Sequence, residues 1–238
     1  MEPLYLDNHL LVVSKPAGML VQGDATGDDD LVTLAKAYLK ERFDKPGNVF
    51  VGLVHRLDRP TSGVVCLART SKAAGRLSDQ FRRRAVGKRY LAVVDGRLDG
   101  AGRAEDWLAP ARVGVAVVAR DAPGAKRAAL RWRALGHRAD LGRAGRTLVE
   151  VDLETGRKHQ IRAQLAALGA PVVGDFRYGN AAEPFAGGRG IALHAYALTV
   201  EHPTRREPMT FTAPPPAAWA GLFEGEVAEA LARAGRGG

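Results

Sequence analysis

The motif LVHRLDRPTSGVVCLAR sets His55, Arg56 and Asp58 directly ahead of a Pro-Thr-Ser-Gly turn, between two apolar runs. The Pro and the Gly are sufficient for a turn, so the residues before them require another explanation. Loops held by rigid strands commonly carry catalytic groups, and a carboxylate there can act as a nucleophile or a base. We expect the hydroxyls of Thr61 and Ser62 to cap the turn.

A partner for this carboxylate lies about a hundred residues further along the chain. The segment GRKHQIRAQLAALG has apolar residues at helical spacing, and Arg162 lies at the border of that apolar stripe. A half-buried guanidinium requires a carboxylate or a phosphate, so we expect Arg162 to pair with Asp58 and to fix its rotamer. The alternative is a structural ion pair without catalysis, and residue types alone do not separate the two.

The overall charge favours a polyanionic partner. The 238 residues include 35 Lys plus Arg against 26 Asp plus Glu, which gives a net charge of +9. Such an excess suits a phosphate backbone, although general solubility explains it equally well. Cys66 is the only cysteine and the six histidines lack zinc-motif spacing, so we expect no metal site.

The chain shows no sequence feature typical of secretion or of a membrane. Its first residues, MEPLYLDNHL, include an acidic residue and no apolar core, unlike a signal peptide. No apolar run approaches the ~20 residues of a membrane-spanning helix. We therefore expect a cytoplasmic protein that does not act at a membrane.

Short strands outnumber helices and often follow one another directly. The segments DDDLVTLAKAYLKERF, TSKAAGRLSDQFRRR and AAWAGLFEGEVAEALARA predict helices, the second opened by Thr70 or Ser71. Strands are predicted at PLYL, HLLVVS, NVFVGLVH, GVVCLAR, RYLAVVDG, VGVAVVA, AALRWRAL, TLVEVDLE, IALHAYALTV and MTFTAP. Residues 97–124 otherwise predict loops around the single strand VGVAVVA.

This order of elements predicts an α+β fold with a mixed, mostly antiparallel central sheet flanked by helices and loops. The segment IALHAYALTV is apolar on both alternations, which predicts a strand buried on both faces in the middle of the sheet. No repeat, linker or shift in composition divides the chain. We therefore expect one domain over residues 1–238.

The opening motif resembles the catalytic motif of the RluA-type pseudouridine synthases, in which HRLD precedes TSG. Five further segments resemble motifs of that family in the same order: DNHLLVVSKPAGMLV, GKRYLAVVDG, AKRAALRWRAL, VDLETGRKHQIRAQLAALGAPVVGDFRYG and IALHAYALTVEHP. The resemblance implies the pseudouridine synthase catalytic fold. It also implies isomerisation of a specific uridine to pseudouridine in rRNA or tRNA, without a cofactor or a metal.

The family resemblance implies three catalytic residues. Asp58 corresponds to the catalytic aspartate, and Arg162 to the arginine that pairs with it. Tyr90 corresponds to an active-site tyrosine that can lie against a uracil ring. The opening motif supplies one carboxylate, whereas glycosidases that hydrolyse their substrate usually need two.

Six further residues are expected to bind the substrate. Leu193 corresponds to an apolar wall of the pocket, or is simply part of the core. Arg56 is expected to fill the gap left when the target base is flipped out of its stack. His55 either contacts substrate or supports the loop. Three basic residues are expected near the RNA or the cleft, and these are Lys15, Arg83 and Lys88.

The first family motif begins at the N-terminus, so we expect no N-terminal S4-type RNA-binding domain. The implied partner is then an rRNA or tRNA stem-loop bound by a monomer, without an obligatory protein partner. Two other classes stay open. One is a catalytically silent RNA-binding or assembly factor on the same fold, and the other is a glycosylase that releases the base.

Overall fold

A single sheet of eleven strands organises the described part of the chain, residues 2–179 and 183–236 of this computed structural model. The strands are β1 (Pro3–Leu6), β2 (Leu10–Lys15), β3 (Gly52–Leu53), β4 (Ser62–Ala68), β5 (Gly87–Asp95), β6 (Ala101–Pro110), β7 (Val115–Val118), β8 (Lys126–Arg138), β9 (Arg146–Leu153), β10 (Leu193–Glu201) and β11 (Pro208–Thr212). Among these strands only β4 and β10 pair in parallel. The mixed, mostly antiparallel sheet confirms the predicted α+β class.

Helices cover both faces of this sheet. The helices of the described ranges are α1 (Leu31–Arg42), α2 (Ser71–Arg83), α3 (Gln160–Ala167) and α4 (Glu224–Gly235). The side chains of Asp30 and Thr70 accept hydrogen bonds from the first turns of α1 and α2, which fixes where both helices begin. Within the part of the chain that the structure describes, no helix has both the length and the apolar character needed to cross a membrane.

Alternate residues of each inner strand face two different cores. On β2, Leu11 and Val13 pack into the core that contains α1, α3 and α4. Leu10 and Val12 pack into a second core that contains residues of α2. The sheet is therefore the middle layer of the molecule, and a side chain is assigned to one face by its position in the strand.

The order of strands places the opening motif at the centre of the sheet. The order is β1-β2-β4-β10-β5-β9-β8-β6-β7, with β3 beside β4 and β11 beside β10. Strand β10 is buried almost throughout, as the apolar pattern of IALHAYALTV predicts. At the parallel junction Gly63 has φ +123°, and a Cβ there would lie 2.3 Å from the carbonyl oxygen of Ala195. Only glycine allows this approach.

Two segments differ from the sequence prediction. The run NVFVGLVH forms only the two-residue strand β3, because it runs along the edge of β4 for two residues before the chain turns into the segment that contains Asp58. Strand β6 has ten residues where the sequence predicts loops. Its inward positions include Ala104 and Asp106, which are too small or too polar to give an apolar alternation, and antiparallel pairing with β8 supplies the order.

Candidate active site

A cleft of about 430 Å³ opens where the Asp58 loop, the end of α2, β5 and the start of α3 meet. It is lined by residues of the segments 54–61, 81–90 and 153–162 and by Leu193. Seven of the nine site residues predicted from the sequence line it: His55, Arg56, Asp58, Lys88, Tyr90, Arg162 and Leu193. Sequence motifs that lie far apart in the chain therefore meet in one place.

The loop that carries Asp58 is fixed through its backbone. The N–H of Thr61 donates to the carbonyl oxygen of Asp58 at 3.0 Å and closes the turn. The carbonyl oxygen of Pro60 accepts from the N–H of Ile191 at 3.2 Å, which ties the loop to the segment before β10. Because its backbone is held at both points, the Asp58 carboxylate has a defined position at the edge of the cleft.

Arg162 contacts Asp58, but its closer partner is a second carboxylate. Its Nη1 lies 3.4 Å from Asp58 Oδ2, while Nε and Nη2 donate to the two oxygens of Asp175 at 2.6 and 2.9 Å. The Arg162 side chain is 3% exposed and that of Asp175 is 0% exposed. Burial lowers the pKa of Arg162, but the hydrogen bond and charge of Asp175, assisted by Asp58, raise it overall.

Asp175 is the functional residue that the sequence reasoning missed. It lies in the quoted segment GDFRYG, and its backbone partners are the N–H groups of Arg177 and Tyr178. The available signal was the residue type, because an aspartate in an otherwise buried segment needs a cation. The two-point contact orients the guanidinium, so that only Nη1 is directed at Asp58.

Tyr90 and Leu193 form the inner wall of the cleft from neighbouring strands. Leu193 begins β10 and pairs with Ala92 of β5, two residues beyond Tyr90. Burial, together with the negative charge of Asp58, raises the pKa of Tyr90 well above its ordinary value. The phenol therefore stays protonated and presents a flat ring and a hydroxyl beside the carboxylate.

Cationic side chains surround the opening of the cleft. They are Arg56, Arg82, Arg84, Lys88 and Arg157. Lys88 is half-buried, and its Nζ donates to the carbonyl oxygen of Thr155 at 3.2 Å. Burial lowers the pKa of Lys88 to about 8, although the negative charge of Asp152 opposes this change. A rim of this charge suits an anionic ligand.

Residues 9–167 match the family model described as RNA pseudouridylate synthase. That match covers more than half of the chain and includes both Asp58 and Arg162. The chain belongs to the RNA pseudouridylate synthase family. The family resemblance carried by the six sequence motifs is thereby confirmed.

Relatives of known name align with most of this chain. It is 40% identical over 232 residues to the ribosomal large subunit pseudouridine synthase D of Xanthomonas campestris pv. campestris, covering 90% of this chain and 65% of that relative. It is 36% identical over 226 residues to the tRNA pseudouridine synthase C of Salmonella typhi, covering 90% of this chain and 85% of that one. The chain thus spans slightly under two thirds of the first relative.

A solved human structure, RNA pseudouridylate synthase domain containing 1, has the same fold. It superposes with a TM-score of 0.70 at 25% identity, covering 97% of this chain and 94% of the human one. A second human structure, RNA pseudouridylate synthase domain containing 4, superposes with a TM-score of 0.73 at 24% identity, over 97% and 92% of the two chains. The predicted pseudouridine synthase fold is confirmed.

His55 supports the loop that carries Asp58 from inside the protein. Its Nε2 accepts a hydrogen bond from the N–H of Cys66 at 2.9 Å, and its ring stacks on Phe81 at 4.6 Å. Burial lowers the pKa of His55 to about 3, so the ring is neutral. Of the two roles that the sequence leaves open, these contacts favour the supporting one.

Lys15 does not line the cleft, and its predicted role in substrate binding stays a prediction. The Lys15 side chain is fully buried at the end of β2, and burial lowers its pKa to about 7. Its Nζ donates to three carbonyl oxygens, those of Pro16, Met19 and Arg59, at 2.9, 2.9 and 3.1 Å. The amine therefore holds the loop that precedes β4 through these three contacts inside the protein.

Arg83 lies outside the cleft, and its predicted contact with the RNA stays a prediction. Its Nε donates to Asp79 at 2.6 Å on the exposed face of α2, and it lines a separate groove with Arg76. The helical spacing explains the difference, because Arg82 and Arg84 reach the cleft while the residue between them points away.

The two hydroxyls of the motif do not cap the turn as predicted. The Ser62 hydroxyl is buried and hydrogen-bonds Nδ1 of His194 at 2.8 Å, which links β4 to β10. The Thr61 hydroxyl is buried without a partner in residues 2–179 and 183–236. The turn is closed by the backbone N–H of Thr61 instead.

Proposed function

We propose that this chain isomerises a specific uridine to pseudouridine in ribosomal or transfer RNA, with Asp58 as its catalytic carboxylate. The observation that carries the proposal is the cleft itself, where Asp58 faces Tyr90 and Leu193 and is held by Arg162. Family membership supports the reaction. The printed names of the Xanthomonas and Salmonella relatives support rRNA and tRNA as the substrate classes.

The chemistry of the isomerisation suits one carboxylate beside an apolar wall. The N1–C1′ bond of uridine breaks, the uracil turns without leaving, and a C5–C1′ bond forms while the proton leaves C5 and N1 gains one. Breaking the N-glycosidic bond builds positive charge on the sugar, which Asp58 can stabilise or trap covalently. Leu193 helps to exclude the water that would otherwise complete a hydrolysis.

Tyr90 is the second group placed for the reaction. Its ring lies on the cleft wall, where it can stack against a uracil that turns in place. Its raised pKa keeps the hydroxyl protonated, so that it can exchange a proton with the base. Arg162 acts as a positioning residue, because it reaches the reaction only through the Asp58 carboxylate.

The rim of the cleft supports binding of a flipped nucleotide. Asp58 can reach a ribose only when the target base leaves its stack. Arg56 is exposed two residues before Asp58, so its planar guanidinium can occupy the gap and stack there. The neighbouring cations Arg84 and Lys88 can then bind the flanking phosphates.

We further propose that the chain acts as a monomer in the cytoplasm, without an obligatory protein partner. All groups named for the reaction lie on one chain, which supports this. Light scattering of the chain alone and bound to its RNA tests the monomer. A molecular mass of two chains per RNA would overturn it.

The proposal is tested with the purified chain and unmodified transcripts of rRNA and tRNA. Pseudouridine is mapped after carbodiimide treatment by primer extension, and free uracil is measured in the same reactions. We expect pseudouridine at one or a few positions and no free uracil. Binding without any pseudouridine would instead indicate a silent RNA-binding factor, and release of uracil would indicate a glycosylase.

A further inference from the structure

His159 has a backbone conformation that the surrounding structure must hold in place. It immediately precedes α3 with φ +52°, the left-handed region that non-glycine residues rarely adopt. Its side chain makes no capping hydrogen bond to α3, and it lines the cleft that contains Asp58. Non-glycine residues with a left-handed backbone conformation are often found at functional sites, which makes His159 a candidate for a role in the cleft.

A short chain of hydrogen bonds ties the His159 ring to a distant hairpin. The N–H of Val115 donates to the hydroxyl oxygen of Tyr178 at 2.9 Å, and that oxygen lies 2.9 Å from Nδ1 of His159. Among the described residues, Nδ1 is the acceptor within reach of the Tyr178 proton. The hydroxyl accepts from Val115, and we assign its own proton to the bond with Nδ1 of His159.

This arrangement fixes the protonation of the imidazole. Burial, assisted by the cations Arg162, Arg177 and Lys158 and opposed by Asp58, lowers the pKa of His159 to about 4. The ring is therefore neutral and carries one proton. Since Nδ1 accepts from Tyr178, that proton is on Nε2.

His159 lines the cleft, and Nε2 is the ring nitrogen that the bond to Tyr178 does not use. It has no hydrogen-bond partner within the ranges 2–179 and 183–236, and it is not enclosed there. The ring lies close enough to Asp58 and Arg162 for their charges to act on it. An N–H donor of fixed direction is thus presented beside the proposed catalytic carboxylate.

We propose that His159 is a substrate-contacting residue, whose Nε2–H donates a hydrogen bond to a carbonyl or phosphate oxygen of the target nucleotide. Tyr178 is the positioning residue that sets the tautomer of His159. Both statements rest on the proposed function, since they assume a nucleotide in this cleft. Neither residue was singled out by its type, although both lie in the segment that contains Arg162.

The hairpin of β6 and β7 packs against the hydrogen bond between Tyr178 and His159. Gly114, just before β7, has φ +80°, and a Cβ there would lie 2.3 Å from the Tyr178 hydroxyl and 3.1 Å from His159 Nδ1. The backbone at Gly114 therefore lies directly against the Tyr178–His159 hydrogen bond, with no room for a side chain there. The Tyr178 ring also lies 5.1 Å from the Arg162 guanidinium carbon, so one tyrosine flanks two side chains of the cleft.

Two variants of matched size test the donor. His159→Leu removes it, while His159→Gln places an amide N–H near the position of Nε2, and both carry the same backbone penalty. We expect kcat/KM for pseudouridine formation to fall roughly 10- to 100-fold in His159→Leu and to recover largely in His159→Gln. Equal activity of both variants with the wild-type chain, at equal urea midpoints, would overturn the role of His159.

Modified RNA identifies the oxygen that accepts. A synthetic stem-loop carrying the mapped uridine is prepared with 2-thiouridine or 4-thiouridine at that position, or with a methylphosphonate on its 3′ side. We expect one of these changes to slow the wild-type chain and to have no further effect on His159→Leu. Additive losses for all three substrates would contradict a hydrogen bond from His159 to a carbonyl or phosphate oxygen.

Nitrogen-15 NMR of the histidine rings tests the tautomer without any substrate. We expect His159 to show a protonated Nε2 and an unprotonated Nδ1, and the Tyr178→Phe chain to show a mixture of tautomers. A proton on Nδ1 in the wild-type chain would overturn the positioning role of Tyr178. If the wild-type chain modifies no RNA, the proposed function is wrong. If the wild-type chain is active and the His159 variants are equally active, only the role of His159 is wrong.

Discussion

At Asp58 the most important observation is how loosely the carboxylate is held. Only Oδ2 contacts Arg162, at 3.4 Å, and the side chain is 27% exposed to the cleft. The guanidinium itself is anchored by Asp175 at 2.6 and 2.9 Å. Arg162 can therefore orient Asp58 without occupying both of its oxygens, which leaves the carboxylate available to a substrate.

Replacing the anchor should destabilise the protein strongly. Asp175→Asn keeps the shape but removes the charge that neutralises a buried guanidinium, so we expect the free energy of unfolding to fall by about 3–5 kcal/mol. Urea unfolding measures the change. Asp79→Asn, which breaks only exposed ion pairs on α2, is the control and should leave the midpoint nearly unchanged. Equal midpoints for both variants would contradict the assigned role of Asp175.

Lys88 should make RNA binding depend on pH. Its pKa is lowered to about 8 by burial, so the ammonium is charged below pH 8 and loses its proton as the pH rises through that value. If only the charged form binds phosphate, affinity should fall by about fourfold between pH 6.5 and 8.5. Filter binding measures this.

Arginine is the matched control for that experiment, because Lys88→Arg stays charged throughout the pH range. The variant should show a flatter pH profile than the wild-type chain with the same RNA. Parallel profiles would mean that Lys88 does not contact phosphate.

The site residues predicted from motifs and those that were missed differ in what reveals their role. Asp58, Tyr90 and Arg162 could be found because each lies inside a recognisable segment. Asp175 and His159 lie in equally recognisable segments, but their importance depends on distances to other side chains. A sequence shows that a buried charge needs a partner, but it does not show which partner is closer.

At the scale of elements, the junction of β4 and β10 positions the loop that carries Asp58. Gly63→Ala would put a methyl group 2.3 Å from the backbone oxygen of Ala195 and force a left-handed φ on alanine. We expect a loss of stability of more than about 2 kcal/mol. Thermal or urea unfolding measures it.

Gly75→Ala provides the control, since Gly75 lies in the exposed part of α2 with open space around its Cα. Alanine is a better helix former than glycine, so this variant should gain about 0.5–1 kcal/mol. A Gly63→Ala chain as stable as the wild type would mean that the parallel junction does not require glycine.

Elements with a clear apolar period or a capping residue could be predicted from the sequence. Strands that are stabilised mainly by pairing with a neighbouring strand could not. The helices α1 and α2 begin at the residues that their capping side chains indicate. Strand β6 was not predicted because Arg103 and Glu105 are exposed while its inward positions mix Ala104, Asp106 and Leu108, which gives no continuous apolar alternation. Helix α3 begins later than its sequence suggests, because His159 leaves the helical conformation.

At the scale of the whole molecule, the basic charge divides into two parts. One part is neutralised on the surface of β6 and β8, where arginines form ion pairs with glutamates. These arginines are Arg103, Arg127, Arg131 and Arg133. The other part lies around the cleft. The net charge of +9 indicates an excess of basic residues but does not show where in the molecule they lie.

The two parts should respond differently in the salt dependence of RNA binding. Arg84→Asn removes a cation from the cleft rim while keeping a residue that tolerates its left-handed conformation, φ +60°. We expect the slope of log K against log salt to fall by about 0.7–0.9, the value for one phosphate contact. Arg131→Gln, which removes a paired arginine, should leave the slope unchanged. A larger change of the slope in Arg131→Gln than in Arg84→Asn would place the RNA on the surface of β6 and β8 instead of at the cleft.

The most direct test of the central claim is pseudouridine mapping in cells that lack the gene for this chain. Such cells are supplied with the wild-type chain or with Asp58→Asn, in which Arg162 keeps its anchor on Asp175. The account predicts that the wild type restores pseudouridine at its target uridine, and that Asp58→Asn restores none at equal protein level and equal urea midpoint. Restoration of the same pseudouridine by Asp58→Asn would contradict it.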